Sequence, residues 1–368
     1  MLKRLLAVTA AMLLTIATAA VAAELAGDHP TTYTVKKGDT LWDIAGRFLK
    51  KPWLWPEIWQ ANPQVKNPHL IYPGDVLSLV YIDGKPVVQA QGPQIGEAVN
   101  TIPLADIEPF LKQFTVLDDI ESLPHVVGLE EDRLRSAAGQ LVYVRGLDGA
   151  RPGQLVDIVR PVNVFGGGKG KRIPGFSSLD NRGDRMHGHW TTPMGFGEAT
   201  GETLGHELQL HASGEVTRVQ GEVAVVLLRD EGREIRIGDR ILAPEAQPYD
   251  LQFMPRAPDS IPDNGRILAV ADGVGAGPRY VVALSVGARE GVRNGHTFSV
   301  WSEGAVRPDR IANRNAFMAS RDTVEMPDDF VGHVMVFRTF DKVSYALVMN
   351  GIRPISQGDV LKHPDAAE

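Results

Sequence analysis

The sequence predicts an α+β protein. A small βααβ domain occupies residues 32–81, and a mainly β region of repeated short-strand units, closing into small barrels or sandwich-like modules, follows it. Two observations carry this. Near the start, a helical apolar period is bracketed by two short strand-like runs. Further on, paired apolar arms recur: "GEVTRV" at 214 with "VAVVLL" at 223, "GRILAV" at 265 with "YVVALS" at 280, and "GHVMVF" at 332 with "SYALVM" at 344. Each pair ends on an apolar residue, two others and glycine: Ile235 to Gly238, Val292 to Gly295, Ile355 to Gly358. First and last glycines lie 24, 30 and 26 positions apart, which marks one repeated supersecondary unit.

In chain order, Lys3 and Arg4 precede an apolar run from Leu5 to Val21 and then Ala20-Val21-Ala22. That pattern predicts a secretory signal over residues 1–23, and hence a periplasmic protein. An uncleaved anchor is the alternative, since roughly 18 apolar residues can span a bilayer. The chain of 368 residues has no cysteine, which excludes a lipoprotein anchor, a disulfide framework and a thiol nucleophile. Its formal net charge is −7, with no dominant basic cluster, so nucleic acid and anionic lipid are poor partners.

Tyr33 to Val35 reads as a strand that ends at "KKGD". Asp39 or Thr40 then caps a helix whose apolar face is Leu41, Trp42, Ile44, Ala45 and Phe48. A second helix carries Trp55, Ile58 and Trp59, with Pro56 in its first turn. Asn62-Pro63 stops it, and "NPHLIYPGD" leads into a strand at Val76–Val80. A linker is expected over 82–103, rich in Gly, Pro, Gln and Val. Ile107, Phe110, Leu111 and Phe114 then mark a short amphipathic helix with Pro109 near its start. It opens a first β module over 104–203, and the repeated β region runs over 204–364. A degenerate fourth copy of the repeat runs from Val126 through "LVYVRG" to Gly153. Long stretches at 163–203 and 303–329 interrupt the pattern, and loops of such length are usually functional or disordered.

"YTVKKGDTLWDIAGRF" followed by "NPQVKNPHLIYPGDVL" resembles the LysM domain, a peptidoglycan- and chitin-binding module, over about fifty residues. Trp42 stands where Ser is usual, and "KKPWLW" adds residues between the helices. The resemblance implies binding of N-acetylglucosamine-containing glycan in a shallow groove, with Gly38, Asp39, Thr40 and Leu41 facing Asn62, Pro63, Leu70, Ile71 and Tyr72. Backbone groups and small apolar contacts suit a neutral acetamido sugar, and an open groove gains from multivalency. Leu41, Ile71, Trp55 and Trp59 equally suit a hydrophobic core.

Other signals are weaker. His187 and His189 lack the further ligands of a zinc endopeptidase, Glu121-Ser122 is a lone dipeptide, and "GGGKGK" at 166–171 lacks the Ser or Thr of a phosphate loop. No enzymatic activity, cofactor or metal is expected.

The signal, the single LysM-like module and arms such as "GEVTRVQGEVAVVLL" together resemble the type IV pilus secretin-associated family, whose C-terminal part is similar to that of the flagellar assembly protein T. That likeness implies a periplasmic anchor: many copies around a ring, holding peptidoglycan at one end and an outer-membrane secretin at the other, with strand addition at an exposed β edge as the grip. A general wall-bound scaffold for a flagellar ring or another pore is the alternative, and a wall hydrolase the least favoured.

Overall fold

A computed structural model describes residues 23–60, 71–82, 84–92, 99, 102–166, 190–191, 202–229, 232–244, 253–262, 265–271, 275–308 and 323–366. The expected signal segment up to residue 22 lies outside them. Among the described residues no helix is long and apolar enough to cross a membrane. The chain divides into two compact units, residues 1–39 with 43–98 and residues 99–368 with 40–42.

The first unit contains β1 (Thr32–Thr34), α1 (Leu41–Phe48), a 3-10 turn (Pro52–Leu54), α2 (Trp55–Gln60), β2 (Val76–Ile82) and β3 (Lys85–Gln91). The strand, helix, helix, strand order is as expected. Leu41, Trp42, Ile44, Ala45 and Phe48 are all buried, the stripe their spacing dictates. "PWL" supplies the 3-10 turn, and Trp55 and Trp59 pack edge to face, 6.2 Å apart. Two features go beyond expectation. β3 extends β2 into a hairpin with register Val76↔Gln91 to Ile82↔Lys85, so part of the stretch expected as linker is strand. Gly84, at φ +78°, makes the turn, and Val87 and Val88 bury the new strand. Ahead of β1, Leu25 bridges to Leu49, and Ala26 N–H donates to the Phe48 carbonyl at 2.9 Å.

The second unit opens with α3 (Leu104–Lys112) and β4 (Phe114–Leu117). Pro109 lies inside α3, not near its start. Burial of Ile107, Phe110 and Leu111 holds the helix despite the lost backbone bond.

Next come β5 (His125–Leu129), β6 (Leu141–Arg145), β7 (Leu155–Gly166), β8 (Trp190–Thr191), β9 (Thr203–Gln220), β10 (Val223–Leu228) and β11 (Arg240–Leu242). The pairing runs β10-β6-β5-β11-β7-β9, and β9 pairs back onto β10. This is a closed antiparallel barrel of six strands. β12 (Ile267–Ala271), β13 (Val281–Leu284), β14 (Thr297–Ser302), β17 (Asp329–Thr339), β18 (Ser344–Gly351) and β19 (Val360–Lys362) form a second one, ordered β19-β14-β17-β18-β13-β12, while β15 (Val306–Pro308) and β16 (Thr323–Glu325) pair outside it. The Arg266–Val360 bridge and the Ile267 N–H to Asp359 carbonyl bond of 2.9 Å close that ring.

Strand for strand the two connectivities coincide. Each barrel is two copies of one three-strand unit, so the degenerate copy at Val126–Gly153 is the first half of the first barrel. Even the bulge recurs, between Val126 and Gly128 in β5 and between Ile267 and Ala269 in β12. Both barrels are filled by small apolar side chains, with Val142, Val144, Val226 and Ile235 in one, and Val282, Val334, Val348 and Ile355 in the other. Beyond the first unit the fold is therefore mainly β, since among the described residues α3 is its one α-helix.

The shared glycine turn is the hinge of each unit. Gly74, Gly153, Gly238, Gly295 and Gly358 have φ of +96°, +87°, +95°, +88° and +92°, the left-handed third position of a type II turn. The following side chain bonds the N–H three residues back: Asp75 to Tyr72 (2.9 Å), Gln154 to Arg151 (3.2 Å), Asp239 to Arg236 (2.7 Å), His296 to Arg293 (3.3 Å) and Asp359 to Ser356 (2.8 Å). In the barrels each turn docks on the first strand of the other half. Gly153 N–H reaches the Val216 carbonyl and Gly238 that of Val126, both at 2.8 Å. Gly295 reaches Val336 (2.7 Å) and Gly358 reaches Ile267 (2.9 Å) in the same way.

An apolar layer joins the barrels: Phe110, Phe114 and Phe165 pack against Phe337 and Tyr345 of the second. Arg338 Nη1 donates to the carbonyls of Phe110 (2.8 Å), Leu111 (2.6 Å) and Phe114 (2.5 Å), placing a cation at the C-terminus of α3. The buried Tyr345 hydroxyl donates to Glu207.

Candidate glycan-binding site

The expected groove residues among the described ones lie on two loops at one end of the β1–β2 pair. Val35 ties them together: its N–H donates to the Asp75 carbonyl (2.9 Å), and its carbonyl accepts from Gly74 N–H (2.8 Å). The Lys36–Thr40 loop and the Ile71–Gly74 turn are thereby held side by side.

Gly38 bends the first loop at φ +93°. Asp39 Oδ2 accepts from Lys36 N–H and the Tyr33 hydroxyl, both at 2.8 Å, so its carboxylate fixes the loop. The Arg47 guanidinium lies 4.6 Å from the centre of the Tyr33 ring. Burial, then Asp39, pushes the Tyr33 phenol above its ordinary value. Thr40 and Tyr72 are half-buried, whereas Leu41 (2% exposed) and Ile71 (1%) are core. The side chains of those two are therefore closed to a ligand. Asn62, Pro63 and Leu70, expected on the second wall, lie outside the described residues.

Sequence reasoning passed over Tyr33, Arg47 and Asp75, which brace the walls. The Gly-Asp pair shared by "KKGD" and "YPGD" was the available signal for Asp75. Beside the backbone groups of these loops stand the exposed Lys36 and Lys37 and the half-buried Asp39.

Of the other sequence signals, one lies among the described residues. Glu121-Ser122 sits in an exposed turn around Asp119, which accepts from Glu121 N–H (2.9 Å) and the Ser122 hydroxyl (2.8 Å). His187, His189 and residues 167–171 lie outside the described residues. Among the described residues no group of three His, Asp or Glu could hold a metal. Two buried histidines serve the barrels: His211 Nδ1 lies 3.1 Å from the Glu234 carbonyl, and His296 occupies the Asp position of the turn. Burial lowers both to about 4. A cleft of about 110 Å³ beside His296 is lined by Asp259, Ser260, Glu290 and Arg293.

The LysM domain family matches residues 33–80, so the first unit is a LysM domain, a binding module for peptidoglycan and related glycans. A stretch of 60 residues is 43% identical to the uncharacterized protein YqbP of Bacillus subtilis (strain 168), covering 14% of this chain and 27% of that protein. The chain thus spans about a quarter of the length of that relative.

Proposed function

We propose that this protein is a non-catalytic periplasmic anchor whose LysM domain grips peptidoglycan while the two-barrel unit holds an outer-membrane pilus secretin. The LysM match carries the reading, joined to a second unit whose described residues form two packed barrels. A retracting pilus pulls on its pore, and the wall is the nearest covalent network able to resist. Many copies around a ring convert weak single-site binding into firm attachment.

Closure of both barrels changes how the partner is held. Strand addition, expected at an open edge, has no free edge within either ring, which leaves faces, loops and the strands outside the rings, such as β4, for the contact.

Two experiments test this. The mature chain should cosediment with purified sacculi without digesting them. Thr40→Arg or Tyr72→Ala should weaken that binding by about tenfold, roughly 1.4 kcal/mol. Unchanged binding would refute the groove assignment, and digestion would restore the hydrolase reading. Recovery from envelope extracts should bring a secretin with the full chain but not with residues 24–92. Recovery of a flagellar or other ring instead would make the protein a more general scaffold.

A further inference from the structure

The segment joining the barrels runs alongside the turn that closes the first half of the second barrel. Arg256 N–H donates to the Gly295 carbonyl (3.0 Å), and the Arg256 carbonyl accepts from Thr297 N–H (2.9 Å). Between segment and turn lies the cleft of about 110 Å³, with Asp259 and Ser260 on one side and Glu290, Arg293 and His296 on the other. Its frame is fixed, because both oxygens of Glu290 are engaged, one by Gly287 N–H (2.8 Å) and one by Arg289 Nε (2.7 Å).

His296 departs from the other glycine turns. The turn needs one acceptor at that position, and Asp75, Gln154, Asp239 and Asp359 each supply it through oxygen. The histidine supplies it through Nδ1, at 3.3 Å the longest of these bonds. Accepting at Nδ1 places the ring proton on Nε2 in the neutral form, which burial favours. The residue is 4% exposed, and among the described residues Nε2 donates to nothing. Nε2 is nevertheless not sealed in the interior, so it opens on the cleft. The ring thus offers the cleft a donor for which the turn has no use.

The charges there are equally unused. Asp259 and Arg293 are exposed, and among the described residues neither forms an ion pair, with the other or elsewhere. Opposite charges that line one cleft without meeting complement a ligand that carries both. Val292, buried between them in sequence and space, adds an apolar wall.

We propose that this cleft binds the zwitterionic head of a small α-amino acid, with His296 Nε2–H and the Arg293 guanidinium on its carboxylate and the Asp259 carboxylate on its ammonium. The volume suits a head with a short side chain, which lies against Val292. A free amino acid carries this pair of charges, and so does the side chain of a diamino acid in a wall peptide. The site is built wholly from residues of the second unit, so its failure leaves the glycan reading untouched.

Titration of the mature chain with alanine, followed through the ring-nitrogen resonances of its histidines, tests this. The His296 Nε2 signal, assigned by its loss in His296→Asp, should move and saturate. Acetate and methylammonium, each with one of the two charges, should bind about tenfold or more weakly. His296→Asp keeps the acceptor that serves the turns at Asp239 and Asp359 but lacks the donor, and calorimetry should show its alanine affinity lowered about tenfold or more. Asp259→Asn, at an exposed position, should level alanine with acetate. Peptides released from sacculi that move the signal at lower concentration than alanine would assign the ligand to the wall, and a weaker response would assign it to the free amino acid. No shift up to the solubility of alanine, acetate binding as tightly as alanine, or full alanine affinity in either variant would overturn the assignment.

Discussion

The two barrels share strand order, bulge and turn, but fix the turn that closes their second half by different means. In the first, Arg160 grips Asp239 with two bonds, Nε to Oδ1 at 2.7 Å and a terminal nitrogen to Oδ2 at 2.8 Å, and also reaches the Glu234 carbonyl at 2.8 Å. In the second, Ser302 stands seven residues after Gly295, as Arg160 does after Gly153. Among the described residues no guanidinium bonds Asp359, and burial raises its carboxyl above the ordinary value. Backbone geometry and apolar filling therefore suffice to close such a barrel. The ion pair is an added commitment of the first, and the harm from losing one partner exceeds the benefit of having both.

The sharpest way to break the comparison is Arg160→Met, which strands Asp239 in the interior. It should cost about 3–5 kcal/mol, read as a lowered unfolding midpoint. Asp359→Asn, the nearest equivalent in the second barrel, should change stability by less than about 1 kcal/mol, because only a hydrogen bond to Ser356 N–H is affected. Comparable losses would mean the two turns are held alike after all.

Next come the glycines. Gly358→Ala meets nothing within 4 Å and suffers only its φ of +92°, a cost of about 1–2 kcal/mol. Gly295→Ala also drives its Cβ to 2.2 Å from the Met254 carbonyl and should cost more. Chemical denaturation of the two variants checks that order.

Acid gives the smallest difference. His211 and His296 are held near 4, so the unfolded chain binds more protons between about pH 4 and 6.5. Both barrels should be fully stable above that window and weaken as pH falls through it. Asp359, with its raised value, takes up a proton in the folded state and offsets part of the loss in the second barrel. Hydrogen exchange at pH 7 and pH 5 should show the first barrel loosening more, and a larger loss in the second would reverse that assignment.

The LysM domain was legible because its helical period and its two Gly-Asp turns are local features. β3 was missed although Asp83-Gly84 is a hairpin signal, because the polar residues around Val87 and Val88 masked the alternation. The four repeat copies and their closing into small barrels or sandwich-like modules could be read from their arms and glycines, but which two copies share a ring could not. That pairing depends on contacts such as Gly238 to Val126 and Gly358 to Ile267, between residues far apart in sequence, and no local pattern encodes them. Of the residues expected in the groove, Leu41 and Ile71 went to the core while Thr40 and Tyr72 stayed half-buried, a choice that apolar character alone does not settle.

The three residues of β19 seal a ring that β12 began more than ninety positions earlier. Until that last piece emerges, β12 and β14 each keep a bare flank, and the loop to be closed is among the longest in the chain. Assembly of the second barrel should accordingly be slow and governed by the carboxyl end. A chain shortened before Val360 would present two unpaired flanks at once, turning a self-sealed body into a template for aggregation.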